Sequence, residues 1–330
     1  MKLTNIKILF LALGVTALYA CTKSTTDGTP TPTPLTTVGN GSGNSIVFYT
    51  DTFRVYSTNL AGGDRKLVVD EDLKSQNNYI GLITAIPGKN KIAYTYTTGG
   101  SSGFVIKTAD TDGKNIKTIK TMPASNFLGY MKGMSDGRIY FSYGPVGAPG
   151  KNYVMDADGA NETQLSTIPP NGRIEARQIS TSGKGIIDES GYFMVLNNGV
   201  FAEASSFYLL ANETKTTIRQ TAVSDDATKL AILYTTANPN VFELRVKDIT
   251  KTNVAATLVY TVTLASDEIT YNVNIQWVNG NKNVLVNYGK FTGPKGLATD
   301  YTKCELIDVA AKTAINWKFT GDEAQRVVVY

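Results

Sequence analysis

The chain has 330 residues, 42% hydrophobic and 18% charged, a composition typical of a globular protein with a large core rather than of a disordered chain. The formal net charge is only +4, which argues against nucleic acid as a partner. Histidine is absent. Its absence excludes Ser-His-Asp and Cys-His catalysis and removes the commonest zinc ligand.

Residues 1–20 have the layout of a secretory signal peptide. Lys2 and Lys7 precede an apolar run from Ile8 to Leu18, as in the charged and apolar regions of such signals. The run is shorter than the roughly 20 apolar residues that a membrane-spanning helix needs. We therefore favour a cleaved signal over the alternative, an uncleaved N-terminal anchor.

The end of this segment, Leu18-Tyr19-Ala20-Cys21, resembles the lipobox of bacterial lipoproteins. In that motif the cysteine thiol receives a diacylglycerol, the signal is cut before the cysteine, and the new amine is acylated. Tyr19 departs from the small residue that is usual there. The resemblance implies a lipid anchor on Cys21 and a place in the bacterial cell envelope, where we expect the outer membrane.

Residues 21–44 are expected to form a disordered tether. They contain almost no large apolar side chains and so bury too little surface to offset chain entropy. Thr-Pro repeats stiffen the segment, and the glycines between Gly39 and Asn44 loosen its end. The folded body should begin at residue 45.

The body, residues 45–330, repeats one β-rich phrase six times. With 18 Tyr and 12 Phe the composition favours strands, and turns rich in Gly, Asn and Asp precede most of the copies. A short apolar stretch lies before each turn and a third strand with a second turn follows, which gives four strands per unit. The copies begin at Ser45, Lys91, Arg138, Tyr192, Lys229 and Asn283.

This pattern predicts an all-β fold, a six-bladed β-propeller of four-stranded antiparallel blades, with seven blades as the less favoured alternative. The first unit begins directly at its second strand, and residues 324–330 form a spare strand after the sixth unit. We expect this C-terminal strand to close the ring by completing blade one.

Two segments, 108–115 and 155–161, carry D-x-D-G after an apolar strand and resemble the repeats of TolB-like six-bladed propellers. The resemblance covers about residues 45–330, clear in three units and degenerate in three. It implies the fold more firmly than the function. The α/β domain that precedes the propeller in TolB has no counterpart in the sequence, so the role of TolB is not implied.

The D-x-D-G segments also resemble the start of a calcium loop. The other ligand positions of such a loop are not all supplied and no helices flank it, so we interpret both segments as hairpin turns. Cys304 is interpreted as a buried small apolar residue. No metal or cofactor is expected.

Paired carboxylates are the remaining route to hydrolysis without histidine. Nothing in the sequence brings two of them together, and we expect no enzyme activity. The available residues are Asp188, Glu189, Asp225, Asp226, Asp267, Glu268 and Asp300.

The connections between strands differ in length, and the long ones should lie at one end of the ring. Long loops on a rigid scaffold concentrate binding residues, and aromatics with a few polar groups suit sugar or peptide surfaces. The alternative is that these aromatics pack only their own loops. The predicted binding segments are 144–151, 197–205 and 289–302. The candidate ligand-binding residues are Phe53, Tyr79, Phe127, Phe201, Phe291, Lys295, Asp300 and Tyr301.

These observations favour a lipid-anchored, non-enzymatic propeller that binds a protein or a glycan. The alternatives are a carbohydrate-active enzyme that uses carboxylates and a purely structural component of the envelope.

Replacing the lipobox cysteine tests the anchor. Cys21→Ser should abolish acylation and leave a soluble or uncleaved precursor, because the thiol is the attachment atom. Cys304→Ser is the control and should leave anchoring unchanged. Membrane fractionation with mass measurement decides the question, and membrane-bound Cys21→Ser protein of mature size would refute the prediction.

Overall fold

The computed structural model describes 36–38, 46–50, 53–59, 64–71, 78–98, 103–146, 150–167, 176–180, 182–188, 192–197, 200–208, 218–251, 254–265, 268–278, 281–292, 298–320 and 326–329. Residues 33–330 form one compact unit. The predicted signal peptide, the lipidation site at Cys21 and most of the tether lie outside the described residues.

The described residues form 26 strands and one short 3₁₀ turn, Pro87–Lys89. The strands are β1 (Thr36–Val38), β2 (Ile46–Thr50), β3 (Arg54–Asn59), β4 (Lys66–Asp70), β5 (Asn78–Ile86), β6 (Lys91–Thr98), β7 (Phe104–Asp110), β8 (Lys117–Thr121), β9 (Asn126–Gly133), β10 (Arg138–Pro145), β11 (Lys151–Asp156), β12 (Thr163–Gln164), β13 (Ser166–Thr167), β14 (Ala176–Ile179), β15 (Gly185–Asp188), β16 (Tyr192–Asn197), β17 (Val200–Tyr208), β18 (Ile218–Val223), β19 (Lys229–Thr235), β20 (Val241–Asp248), β21 (Thr257–Thr263), β22 (Glu268–Val278), β23 (Asn283–Thr292), β24 (Ala298–Asp308), β25 (Thr313–Thr320) and β26 (Arg326–Val329).

In the described part of the chain these strands assemble into six sheets. The order of strands is β26-β2-β3-β4 in sheet 1, β5-β6-β7-β8 in sheet 2, β9-β10-β11-β12 in sheet 3, β14-β15-β16-β17-β13 in sheet 4, β18-β19-β20-β21 in sheet 5, and β22-β23-β24-β25-β1 in sheet 6. Neighbouring strands pair antiparallel, apart from the parallel pair of β13 with β17.

The second strand of a sheet is apolar on both faces because both faces are buried. In β19, Leu230, Ile232 and Tyr234 enter a cluster on one face of sheet 5, while Ala231 and Leu233 pack with residues of sheet 6 on the other face. Successive side chains of a strand point to opposite faces. A continuous apolar run is therefore the expected pattern for a strand between two layers.

Apolar clusters join each sheet to its neighbour. Sheet 1 packs on sheet 2, sheet 2 on sheet 3, and sheet 3 on sheet 4; sheet 5 packs on sheet 6, and β14 contacts β18 between sheets 4 and 5. The last cluster contains Leu285, Cys304 and Leu306 of sheet 6 together with Val47 and Tyr49 of sheet 1. The sheets therefore stack radially, and the predicted all-β propeller of four-stranded antiparallel blades is confirmed.

The C-terminal strand completes sheet 1. β26 pairs antiparallel with β2, from Val47 opposite Val329 to Thr50 opposite Arg326, as the sequence predicts. Val328 enters the same apolar cluster as Phe48. The first sheet is thus built from both ends of the folded body.

The D-x-D-G segments are hairpin turns, as predicted. Asn115 donates to the Asp110 carboxylate at 2.6 Å, and hydrogen bonds from Lys91 and Asn115 lower the pKa of the Asp110 carboxyl. Gly113 has φ +86°, and a Cβ there would lie 2.1 Å from the carbonyl oxygen of Val68 in sheet 1. Only glycine suits this combination of left-handed backbone and close approach.

The turn at 155–161 repeats this arrangement. Asn161 donates to Asp156 at 2.6 Å, and a Cβ on Gly159, with φ +91°, would lie 2.5 Å from the Ile119 carbonyl oxygen of sheet 2. Both turns therefore hold one sheet against the preceding one, and Asp110 and Asp156 accept hydrogen bonds within their own turns.

The strand order of sheet 4 differs from the prediction. The run from Tyr192 was predicted to be the second strand of its unit, after a turn at 189–191, but β16 is the third strand. The first turn lies earlier, where Gly183 adopts φ +71° and Ser180 Oγ accepts from Gly185 N at 3.1 Å. The true second strand, β15, has only four residues and is too short to stand out in the sequence.

A second difference concerns the tether. Of residues 21–44 the structure describes only Thr36–Val38, and these form β1, paired antiparallel with β25 at Lys318, Trp317 and Asn316. Threonine and valine favour strands, and β25 would otherwise be an edge with unpaired backbone groups. These three residues are therefore not a free tether but a fifth strand of sheet 6.

Deleting the closing strand tests the architecture. Removal of residues 324–330 should lower the melting temperature by more than about 5 °C, because β2 becomes an unpaired edge and the apolar contact at Val328 is lost. Deletion of residues 29–35, which has the same length, is the control. Equal melting temperatures for the two deletions, measured by circular dichroism, would show that β26 does not close the ring.

Candidate ligand-binding face

The two ends of the ring differ because strands alternate in direction. Connections between the first and second strands and between the third and fourth strands lie at one end, called here the tight-turn end. Connections between the second and third strands and from sheet to sheet lie at the other, the long-loop end. The tight-turn end includes 87–90, 111–116, 134–137, 157–162 and 224–228.

Side chains of the tight-turn end hold neighbouring turns and sheets together. Lys117 Nζ donates to the Asp158 carbonyl oxygen of the next sheet at 3.1 Å, and Lys312 Nζ donates to that of Leu258 in the preceding sheet at 3.2 Å. The Asp225 backbone N–H donates to the side chain of Asn281, which links sheets 5 and 6. Polar groups at this end are therefore used within the fold.

The structure places six of the eight predicted ligand-binding residues at the long-loop end. These are Phe53, Tyr79, Phe127, Phe291, Asp300 and Tyr301. Lys295 lies outside the described residues.

Phe201 is the exception, because its predicted place in a long loop at the long-loop end is wrong. It lies beside the connection between β16 and β17, paired with Leu196. Because these are the third and fourth strands of sheet 4, that connection belongs to the tight-turn end. The predicted long loop at 197–205 is instead mostly strand, since β17 begins at Val200. The error follows from the wrong strand order predicted for sheet 4, which placed the connection between β16 and β17 at the long-loop end.

The described residues of the segment 289–302 are paired strands rather than a loop. Gly289 pairs with Thr302 and Lys290 with Tyr301, and the pairing continues through Phe291 to Thr292. The described part of β22 pairs only as far as Lys290, and that of β25 only as far as Tyr301. A two-stranded arm therefore extends beyond the rest of sheet 6, and its Thr, Phe and Tyr residues favour strand.

The predicted loop at 144–151 is also shorter than expected. Gly144 and Pro145 belong to β10, opposite Phe127 and Asn126, and β11 begins at Lys151. The N–H of Val146 donates to the Ser125 carbonyl oxygen at 2.9 Å, which continues the ladder past the strand end.

Phe53 lies in a connection that is fixed by a polar network. The Arg54 guanidinium carbon lies 4.5 Å from the Phe53 ring centroid, and the N–H of Glu71 donates to the Phe53 carbonyl oxygen at 3.0 Å. The Glu71 carboxylate accepts from Tyr94 Oη at 2.6 Å and from Lys107 Nζ at 2.7 and 2.8 Å. Burial and the hydrogen bond to Glu71 raise the pKa of Tyr94. This network joins sheets 1 and 2 and fixes the backbone of the connection in which Phe53 lies.

Tyr79 and Phe127 are more promising, because these two residues remain 47% and 37% exposed. Each is the second residue of the first strand of its sheet, and each is followed two residues later by glycine. A Cβ on Gly81 or Gly129 would lie 3.6 Å from a ring carbon of Tyr79 or Phe127 respectively, so each ring lies alongside a glycine. Both rings belong to the same sequence pattern, Asn-Tyr/Phe-Ile/Leu-Gly, at 78–81 and 126–129. Loop lengths alone do not reveal this signal.

The carboxylates considered for hydrolysis are dispersed where they are described. Asp226 lies in the turn at 224–228, where its carboxylate accepts from Ser224 Oγ at 2.6 Å and from Thr228 Oγ1 at 2.8 Å. Burial works against ionisation, but these hydrogen bonds lower the pKa of the Asp226 carboxyl. Asp188, Glu268 and Asp300 lie in β15, β22 and β24, while Glu189 and Asp267 lie outside the described residues.

Three further observations concern metal binding, the buried cysteine and membrane spans. Among the described residues, no three His, Cys, Asp or Glu side chains are grouped so that they could hold a metal ion. Cys304 is fully buried, as predicted, and burial raises the pKa of its thiol. The described part of the chain has no helix long and apolar enough to cross a membrane.

Solved structures with a similar fold include two TolB proteins. TolB from Acinetobacter baumannii is similar with a TM-score of 0.58 and 14% identity, over 89% of this chain and 68% of that one. The putative TolB from Agrobacterium tumefaciens is similar with a TM-score of 0.52 and 10% identity, over 88% of this chain and 99% of that one. The chain has the TolB-like β-propeller fold. No protein-family model matches it, and comparison with curated proteins found no match.

The Glu71 network yields a stability test. Glu71→Gln should reduce the free energy of unfolding by about 1–3 kcal/mol, because the Lys107 ammonium then loses its charged partner in a mostly buried setting. The side chains of Lys107 and Glu71 are only 18% and 12% exposed. Lys114→Met, which breaks the exposed pair with Asp112, is the control and should leave the free energy of unfolding almost unchanged, because solvent screens an exposed ion pair. Equal losses in urea unfolding would show that the network adds nothing beyond a surface ion pair.

Proposed function

We propose that this protein is a lipid-anchored, non-enzymatic β-propeller of the bacterial envelope that binds a protein or glycan partner through its long-loop end. The observation that supports this most strongly is the difference between the two ends. At the tight-turn end, side chains are used to hold turns and sheets together. At the long-loop end, Tyr79 and Phe127 keep their rings exposed on first strands, where the scaffold is rigid.

We infer that the six sheets are six blades of one ring. The apolar cluster between sheet 6 and sheet 1 supports closure, as does the pairing of β26 with β2. A closed ring has no exposed sheet faces and only short outer edges, so binding residues are left mainly to the two ends and the central channel.

The anchor belongs to the same proposal. A lipid on Cys21 would hold the mature chain at a membrane surface, and the lipobox pattern favours the bacterial envelope, with the outer membrane as the proposed location. A single acyl group binds membranes only weakly, and the diacylglycerol and amine-linked acyl groups of lipoproteins make such attachment stable.

We propose that the protein is not an enzyme because its side chains offer no recognised catalytic set. The chain has no histidine, and hydrolysis by carboxylates needs two of them facing each other across a sugar, roughly 5–10 Å apart. Asp226 instead caps a turn at the tight-turn end. A binding protein needs no such pair.

Capture of a partner tests the proposal. The full mature chain is purified from membranes in detergent and exposed to envelope extract and to a glycan array. We expect retention of a protein or a glycan that survives washing. Failure to retain either would contradict the proposed function, and degradation of a retained glycan would show that the carboxylate enzyme is the correct alternative.

Variants at the two ends then locate the binding face. Phe291→Ala, in the arm of sheet 6, and Tyr301→Ala, at the base of the arm, should weaken binding of the captured partner while changing the melting temperature little. Asp112→Ala and Asp158→Ala, in the turns at the opposite end, are the controls and should leave affinity unchanged. Loss of affinity only in the turn variants would show that the wrong end has been chosen.

A further inference from the structure

The first strands of the sheets surround the centre of the ring. β26 contacts β5, β5 contacts β9, β9 contacts β14, β14 contacts β18, and β18 contacts β22. Each first strand begins at the long-loop end, and the residues that begin these strands therefore surround the mouth of the central channel.

Each of the six first strands has a charged or aromatic residue at its first or second position. In the order of the sheets these are Arg326, Tyr79, Phe127, Arg177, Arg219 and Glu268. The only other charged residue in the described parts of these strands is Lys132 of β9. By sequence, the described parts of the first strands thus contain four cationic residues and one acidic residue, although the chain as a whole is nearly neutral. A concave surface with charge of one sign raises the local concentration of ligands of the other sign.

Irregular pairing recurs at this mouth. β14 shifts register between Ala176 and Gln178, and β18 shifts between Ile218 and Gln220, so the extra residues are Arg177 and Arg219. Register also shifts in the first pairs of sheets 2, 3 and 6. β-bulges interrupt pairing and re-aim side chains next to binding sites. Their repetition in five sheets at one end is what a shared site requires.

The mouth has an aromatic side and a cationic side. Tyr79 and Phe127 lie on the neighbouring first strands β5 and β9, each with its ring alongside a glycine. Arg177 and Arg219 lie on the neighbouring first strands β14 and β18, and the side chain of Arg219 is exposed. Aromatic rings accept the apolar face of a sugar ring, and guanidinium groups bind carboxylates or sulfates in bidentate fashion.

We propose that the channel mouth binds an acidic polysaccharide. Its sugar rings stack on Tyr79 and Phe127, and its carboxylate or sulfate groups pair with Arg177 and Arg219. This proposal rests on the proposed function, since it names the ligand class and the site at the long-loop end. An acidic peptide is less well suited, because an extended peptide binds by adding to a regular strand edge and the bulges interrupt these edges.

Lys132 is the further cationic residue of β9. It lies near the tight-turn end of that strand, and burial lowers the pKa of its ammonium, an effect that the charge of Asp225 opposes. Burial thus disfavours the charged form of this side chain, so Lys132 is not counted among the ligand contacts.

Binding to matched polymers tests the proposal with the full mature chain in detergent. The probes are dextran sulfate and polygalacturonate as sulfated and carboxylated glycans, neutral dextran, and poly-glutamate as an acidic peptide. We expect measurable binding of at least one acidic glycan, weakened by salt, and none of dextran. Tyr79→Ala combined with Phe127→Ala should weaken that binding about tenfold or more.

Arginine variants provide the second test. Arg177→Gln combined with Arg219→Gln should weaken binding and reduce its salt dependence, because two charged contacts are removed. Ile116→Ala and Arg138→Gln, at the tight-turn end, are the matched controls and should bind normally. Melting curves show whether each variant is folded, and single variants replace any double variant that is not.

The inference is overturned if neither acidic glycan binds, if the mouth variants bind them as tightly as the unmodified chain, or if poly-glutamate alone binds. These results leave the proposed function intact when a partner captured from the envelope still depends on Phe291 and Tyr301. The proposed function fails separately, when neither extract nor array yields a partner.

Discussion

The fold depends on the burial of both faces of each sheet. A sheet with one apolar face can pack on a single layer, but sheets such as that of β19 bury side chains on two sides and need neighbours on both. Such a sheet is stable only inside a closed ring, because an open stack would leave two apolar faces in water. This explains why the two ends of the folded body meet in sheet 1, and why apolar residues of sheets 6 and 1 share one cluster.

The same constraint separates the tasks of the two ends. Radial sheets must be held at a fixed angle, and glycine turns that approach the preceding sheet closely, such as Gly113 on Val68, do so at one end. Close packing leaves little freedom there, since a single added carbon meets backbone. The opposite end also contains a link between sheets, the Glu71 network, but there the first strands contain bulges and two exposed aromatic residues. We therefore propose recognition at this end, where the ring can tolerate variation.

Much of the architecture was accessible from sequence because a strand buried on two faces reads as a continuous apolar run, as at 229–235, and because D-x-D-G turns are chemically explicit. The prediction failed where these signals were short. The four residues of β15 form too short an apolar run to be recognised in the sequence. The third strand of sheet 4 is therefore predicted as the second, and Phe201 is placed at the wrong end. The paired residues of 289–302 are predicted as a loop because no local sequence pattern reveals that a backbone pairs with a neighbouring strand. Tyr79 and Phe127 were found as aromatics, but their glycine partners and position at the channel required the fold.

One consequence concerns the position of Cys304 in the cluster between sheets 6 and 1. It is the only cysteine of residues 45–330, and its thiol is fully covered in the closed state. A thiol reagent can reach it only when the first and last sheets separate, or when the whole body unfolds. The rate at which the thiol is modified therefore reports how often the contact between sheets 6 and 1 opens, as amide exchange reports local unfolding elsewhere. Cys304 is therefore a natural probe of local opening between sheets 6 and 1.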